Sequence, residues 1–192
     1  MKKYTTIAFG AAAALLCAIT EADATAYSVD ALTNASDNTP LDRGMILDAS
    51  TTYSFSVENA NTTLWSAGDL PRWSTAGGLT GSLYATGLDQ SGEPAGTLIG
   101  QDWGLWTEHG FTAPYGALVG EVGTTYFLIG TGADISGLAG DLRLMYWDGY
   151  FLDNSGTQTV DVAAVPEPLT LSVFGAGFAG VALLRRRKGN AA

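Results

Sequence analysis

Thr51-Thr52-Tyr53-Ser54-Phe55-Ser56-Val57 alternates hydroxyl-bearing and large apolar side chains. A strand turns successive side chains to opposite faces, so Tyr53, Phe55 and Val57 fall on one face and the serines on the other. On a helix Phe55 would point away from Tyr53 and Val57, so no single face could bury all three. Working outward, residues 117–119, 126–129, 142–147 and 157–162 read as further short strands, each set off by glycine-containing turns. No stretch between Thr25 and Ala164 carries a long apolar period of a helix. The pattern predicts an all-β domain, an antiparallel β-sandwich.

That domain, residues 25–164, is large enough to bury a core without cross-links. It needs to be, because the single cysteine, Cys17, lies upstream of it. Its charge is one-sided. Arg43, Arg72 and Arg143 are its only Lys or Arg residues, against 16 acidic ones, a formal charge near −13. Such a surface repels nucleic acid and anionic lipid and suits cations or neutral partners such as sugars.

The two ends carry addresses. Lys2 and Lys3 precede an apolar run over residues 7–19, and Ala22-Asp23-Ala24 supplies a small-x-small cleavage site. Residues 1–24 therefore read as a secretory signal peptide cleaved after Ala24, with Cys17 leaving in it. At the other end, Val165-Pro166-Glu167-Pro168 is a stiff spacer that helix cannot enter. Residues 169–184 then run without a charge, and Arg185, Arg186, Arg187 and Lys188 follow. A helix over that run spans about 24 Å, short of a bilayer core of about 30 Å, and snorkelling basic stems extend its reach. The basic residues set its C-terminal end on the cytoplasmic side. The string of Pro-Glu-Pro, short apolar helix and basic end resembles the PEP-CTERM tail of Gram-negative exported proteins. That resemblance implies that residues 165–192 are a sorting signal read by an exosortase-type membrane protease. The chain would be held in the inner membrane as a precursor and released to the cell surface, envelope or extracellular polysaccharide matrix.

A second resemblance lies within the domain. Ala113-Pro-Tyr-Gly-Ala-Leu-Val-Gly-Glu-Val-Gly123, then Leu142-Arg-Leu-Met-Tyr-Trp-Asp148, then Asp153-Asn-Ser-Gly-Thr-Gln-Thr-Val-Asp-Val162 is similar to the PA-I-type galactophilic lectins of bacteria. Residues 47–57 and 65–68 fit that family's early strands more loosely, and residues 69–111 do not fit it. The resemblance implies a jelly-roll-like sandwich with one calcium ion between the last two strands, to which sugar hydroxyls bind directly. Its aromatic-x-Asp carboxylate falls on Asp148, and its paired asparagines fall on Asp153 and Asn154. The metal ligands implied are thus Asp148, Asp153 and Asn154, with a carbonyl near Gly68 or residues 149–151 adding a further oxygen. The loop is shorter here than in the sugar-binding lectins, and Asp153 adds a charge where they have an amide.

Read from their own chemistry, two carboxylates and an amide within one tight loop suit a hard cation that takes six to eight oxygens. The same residues also serve as turn formers, and both readings stand at this point. Trp147 and Tyr150 flank the loop and are candidates to stack on a sugar ring, although strand alternation over residues 142–147 equally allows Trp147 to be core. Asp102-Trp103-Gly104-Leu105-Trp106-Thr107-Glu108-His109 reads first as a strand whose tryptophans plug the sandwich, and second as a ligand rim. His109, the one histidine, reads as a surface or hydrogen-bonded residue. No G-x-S-x-G elbow and no HExxH helix is present, so nothing singles out a catalytic group. The sequence therefore points to a non-catalytic carbohydrate-binding module, with a structural matrix protein lacking a defined sugar as the alternative and a polysaccharide-acting enzyme third.

Overall fold

The computed structural model describes residues 23–166. All but the last two residues of the signal segment, and the chain beyond Pro166 with its apolar run and basic end, lie outside the described residues. Among the described residues no helix is long and apolar enough to cross a membrane. The chain is all-β. Its strands are β1 (Thr25–Asp30), β2 (Leu41–Leu47), β3 (Thr52–Val57), β4 (Trp65–Ser66), β5 (Trp73–Ser74), β6 (Leu83–Tyr84) and β7 (Leu98–Gly100). There follow β8 (Leu105–Glu108), β9 (Phe111–Pro114), β10 (Leu118–Val122), β11 (Thr125–Leu128), β12 (Gly132–Ile135), β13 (Gly140–Tyr146) and β14 (Ser155–Val165). A single 3-10 turn, Phe151–Asp153, joins the last two.

Two open sheets share one core in a sandwich-like arrangement. The larger has the order β12-β3-β14-β4-β5, with β1 added on β14. The smaller runs β11-β10-β13-β2. The long β14 organises the first: one edge pairs with β1 from Thr157 to Val162, and the other takes β3 and then β4. The alternation in β3 is realised as read, with Tyr53, Phe55 and Val57 buried. They meet Val160 and Val162 of β14 and Leu142, Leu144 and Tyr146 of β13 in the main cluster, where Trp65 stands edge-on to Tyr146 at 4.4 Å between ring centroids.

The four other predicted strands are present with shifted ends. β14 is the most extended, reaching Val165 and stopping where Pro166 has no N–H to offer a ladder. Two short hairpins lie outside the main sheets, β6–β7 and β8–β9. The second covers the outer side of the smaller sheet. It brings Phe111 and Ala113 onto Met145, Val119 and Trp147, which form a separate apolar cluster. β13 is therefore buried on both faces at its C-terminal end, and this is what places the loop that follows.

Candidate functional site

β13 delivers Asp148 at its end, and two neighbouring segments clamp the strand there. Trp147 donates its N–H to the Ala117 carbonyl (2.9 Å), and Gly116 donates to the Trp147 carbonyl (2.8 Å). From the other side, Ser36 donates its hydroxyl to the Asp148 carbonyl (2.8 Å) and accepts from the Asp148 N–H (3.0 Å). Asp148 is fully buried. Its Oδ1 accepts from the Tyr115 hydroxyl and from the Tyr150 N–H (3.2 Å). Its Oδ2 is buried with no hydrogen-bond partner among the described residues. Asn154, also buried, donates its amide to the Ala31 carbonyl (3.1 Å), while its Oδ1 is likewise without a partner.

Two buried acceptor oxygens in one loop, neither of them satisfied, are a departure from the rule that buried polar atoms are paired. They are what a hard cation would use. Burial raises the Asp148 carboxyl above the ordinary carboxylate range, the Tyr115 hydroxyl and the Asn154 amide oppose that rise, and the nearby Asp37 charge adds to it. Asp37 is itself raised by burial, with the Phe151 N–H pulling it down and the Glu108 charge pushing it up. Asp37 accepts from Phe151 through Oδ2 (3.2 Å), and its Oδ1 is another buried oxygen without a partner. Tyr115 is pushed far up by burial and by donating to Asp148, so it remains a donor at all working pH values.

The remaining predicted ligand behaves differently. Asp153 is exposed, and its Oδ2 is paired with Arg72 Nη1 at 3.1 Å. The same Arg72 nitrogen donates to the Ala67 carbonyl at 2.9 Å. A guanidinium therefore bridges Asp153 to the early loop, and a Cβ on Gly68 would overlap that carboxylate. The Gly68 carbonyl accepts from the Ser66 hydroxyl. Among the described residues no three Asp, Glu, His or Cys side chains converge as a metal group. Asp148 Oδ2 and Asn154 Oδ1 are thus the unpaired acceptors of this loop among the described residues, while Asp153 is engaged by Arg72.

The aromatic candidates separate as well. Trp147 is fully buried, donates its indole N–H to the Trp106 carbonyl (3.0 Å) and meets Phe111 edge-on at 5.5 Å. It is a core residue and presents no ring face to a ligand, a correction to its reading as a stacking platform. Tyr150 is exposed, as that reading requires. The tryptophans of residues 102–109 do not plug the sandwich: Trp103 and Trp106 are both exposed, and both rings lie within about 6 Å of Tyr115. Trp106 lies so close to Gly149 that a Cβ there would meet its ring at 2.5 Å. Arg72 sits 5.3 Å over the Trp103 ring. His109 is exposed and stacks on Tyr126 at 5.6 Å. The loop is therefore bordered by Trp103, Trp106, Tyr115 and Tyr150. Sequence reasoning missed Asp37 and Tyr115, because the contacts that bring them in come from far along the chain.

No family model matches this sequence, and no curated protein matches it. A solved structure described as the EclA N-terminal domain, a PllA-like lectin, is similar at 18% identity, covering 73% of this chain and 95% of that chain with a TM-score of 0.46.

Proposed function

We propose that this chain is an exported surface or matrix protein carrying a non-catalytic, calcium-dependent carbohydrate-binding module of jelly-roll form. One observation carries the reading. Asp148 Oδ2 and Asn154 Oδ1 are buried acceptors with no donor among the described residues, on the loop between the last two strands and beside exposed aromatic rings. Calcium, when bound there, would supply coordination positions to sugar hydroxyls, as the lectin resemblance implies. Asp148 and Asn154 would hold it, Tyr115 orients the Asp148 carboxylate, and Tyr150 offers a ring face to the sugar. The Arg72–Asp153 pair favours a second reading, in which an internal cation ties the loop down and the domain is purely structural.

A glycan array on the full-length chain, run in millimolar calcium and again in EDTA, separates the two. The first reading predicts a component of glycan binding that disappears in EDTA and in Asp148→Asn. The second predicts no component of binding that depends on calcium.

The sorting half of the proposal rests on the C-terminal string. β14 ends at Val165, and Pro166 is exposed directly after it, so the Pro-Glu-Pro stretch begins at the edge of the folded domain. Replacing Pro166, Glu167 and Pro168 by alanine is expected to leave an unprocessed, membrane-held precursor. Immunoblots of fractionated cells check this, and processing at the parental rate would mean that the tail is only an anchor.

A further inference from the structure

The hairpin β6–β7 and the turn after β3 line a half-open cavity of about 370 Å³ that shares no residue with the Asp148 loop. Its volume lies within the usual range for small-molecule sites, about 300–1,000 Å³. Its walls are tied to the fold. Gln90 Oε1 accepts the Leu64 N–H at 3.3 Å, joining hairpin to turn. The Gln158 amide of β14 donates to the Thr63 carbonyl at 2.9 Å, joining the turn to the large sheet. Leu64 and Leu83 line the cavity and belong to a small apolar cluster with Ala85 and Ile99, so the pocket has a packed base.

The walls mix neutral polar side chains with three leucines, of which Leu88 is exposed, and one aromatic ring. Tyr84 is 58% exposed and stacks on no other ring among the described residues. The Asn61 amide, the Thr63 hydroxyl and the Gln90 NH₂ are turned to no described hydrogen-bond partner, which leaves donors and acceptors of both kinds for a ligand. Asp89 is the one charged residue in the lining. Both of its oxygens are already engaged by Thr86 and Ser91, so it staples the loop. Those hydrogen bonds hold its carboxyl at about 2, and it therefore stays charged. No Lys or Arg lines the cavity, and the domain around it is strongly acidic. An anionic ligand is disfavoured on both counts.

We infer that this cavity is a second, metal-independent binding site for a neutral saccharide, with Tyr84 as the stacking platform and Asn61, Thr63 and Gln90 as hydroxyl-reading groups. An aromatic face against the C–H face of a sugar ring, with amides and hydroxyls around its edge, is the chemistry that neutral polyhydroxylated rings need. The inference does not depend on the Asp148 site.

The test is an array of neutral hexoses and their disaccharides, with uronate-bearing glycans beside them, probed with the full-length chain in EDTA throughout. Binding to neutral glycans is expected, with uronates bound weakly or not at all. Tyr84→Ala should weaken the EDTA-resistant binding about tenfold, and Asn61→Ala should weaken it too; both residues are exposed, so folding is preserved. Asp148→Asn should leave it unchanged. The inference is overturned by an absence of glycan binding in EDTA, by equal binding of uronates, or by a Tyr84→Ala chain that binds as the parent does. Absence of any further, calcium-dependent binding when the array is repeated in millimolar calcium would instead count against the Asp148 reading, so the two failures are distinguishable.

Discussion

Trp147→Ala is expected to lower the unfolding free energy by about 3–5 kcal/mol, the range for deleting a large aromatic side chain from a packed core. The side chain is fully buried among Ala113, Val119 and Met145, with Phe111 and Tyr126 against it. Deleting it removes that contact surface, opens a cavity, and leaves the Trp106 carbonyl without its indole donor. It also unpins the β8–β9 hairpin from the smaller sheet, so the rim formed by Trp103 and Trp106 should lose its fixed position. Urea unfolding followed by circular dichroism measures the loss. A variant that keeps parental stability but fails to bind glycan would make Trp147 a ligand platform and contradict its burial.

This residue shows where the sequence is legible and where it stops. In β3 one face meets the core and the other is more open, so alternation alone identifies Tyr53, Phe55 and Val57 as buried. In β13 the inner face meets the opposite sheet and the outer face meets the β8–β9 hairpin, so Met145 and Tyr146 are both buried. A period of two carries no information once both faces are covered. The same limit applies to the site. Asp148 and Asn154 stand out because they flank a short loop between strands. Asp37 joins them only through the Phe151 N–H, 114 positions away, and Arg72 reaches Asp153 across 81 positions. Nothing local in either segment announces those meetings. The tryptophans of residues 102–109 fall outside the core for a related reason: on a hairpin lying outside the two sheets, large aromatic residues can cap a surface instead of filling a core.

Asp148→Asn is expected to have opposite effects with and without calcium. Without it, the buried carboxylate is a burden, because its pKa is raised in the folded state by burial and by the Asp37 charge. For an acid with a raised folded pKa, the favourable contribution is complete below the unfolded value, about 3.9, and is lost as pH rises through the folded value. Asparagine keeps the shape and the acceptor for Tyr115 without the charge. The variant should therefore match the parent in acid. In EDTA at neutral pH it should be at least as stable, with the difference developing between the unfolded and the raised folded pKa. With calcium the order reverses, because the ion requires the ionised carboxylate. The parent should gain stability and the variant should not. Thermal unfolding of both chains from pH 4 to 8, in EDTA and in calcium, reads each sign.

The size of that gain follows from mass action. Extracellular calcium modules commonly bind at roughly 10⁻⁴ to 10⁻³ M. Ten millimolar calcium then stabilises the native state by about 1.4–2.7 kcal/mol, which is a rise of several degrees for a domain of this size. Magnesium should do less, since it demands a tighter octahedron and releases water reluctantly. Arg72 sets a further condition, because its hold on Asp153 leaves only the Asp148 and Asn154 oxygens for the proposed ion.

The most direct test of the central claim is the melting temperature of the full-length chain titrated with calcium from zero to ten millimolar, with magnesium in parallel. A saturable rise of several degrees with calcium, smaller with magnesium and absent in Asp148→Asn, is the result predicted. A melting temperature that stays flat across the calcium range would contradict the metal site and the calcium-dependent sugar binding built on it.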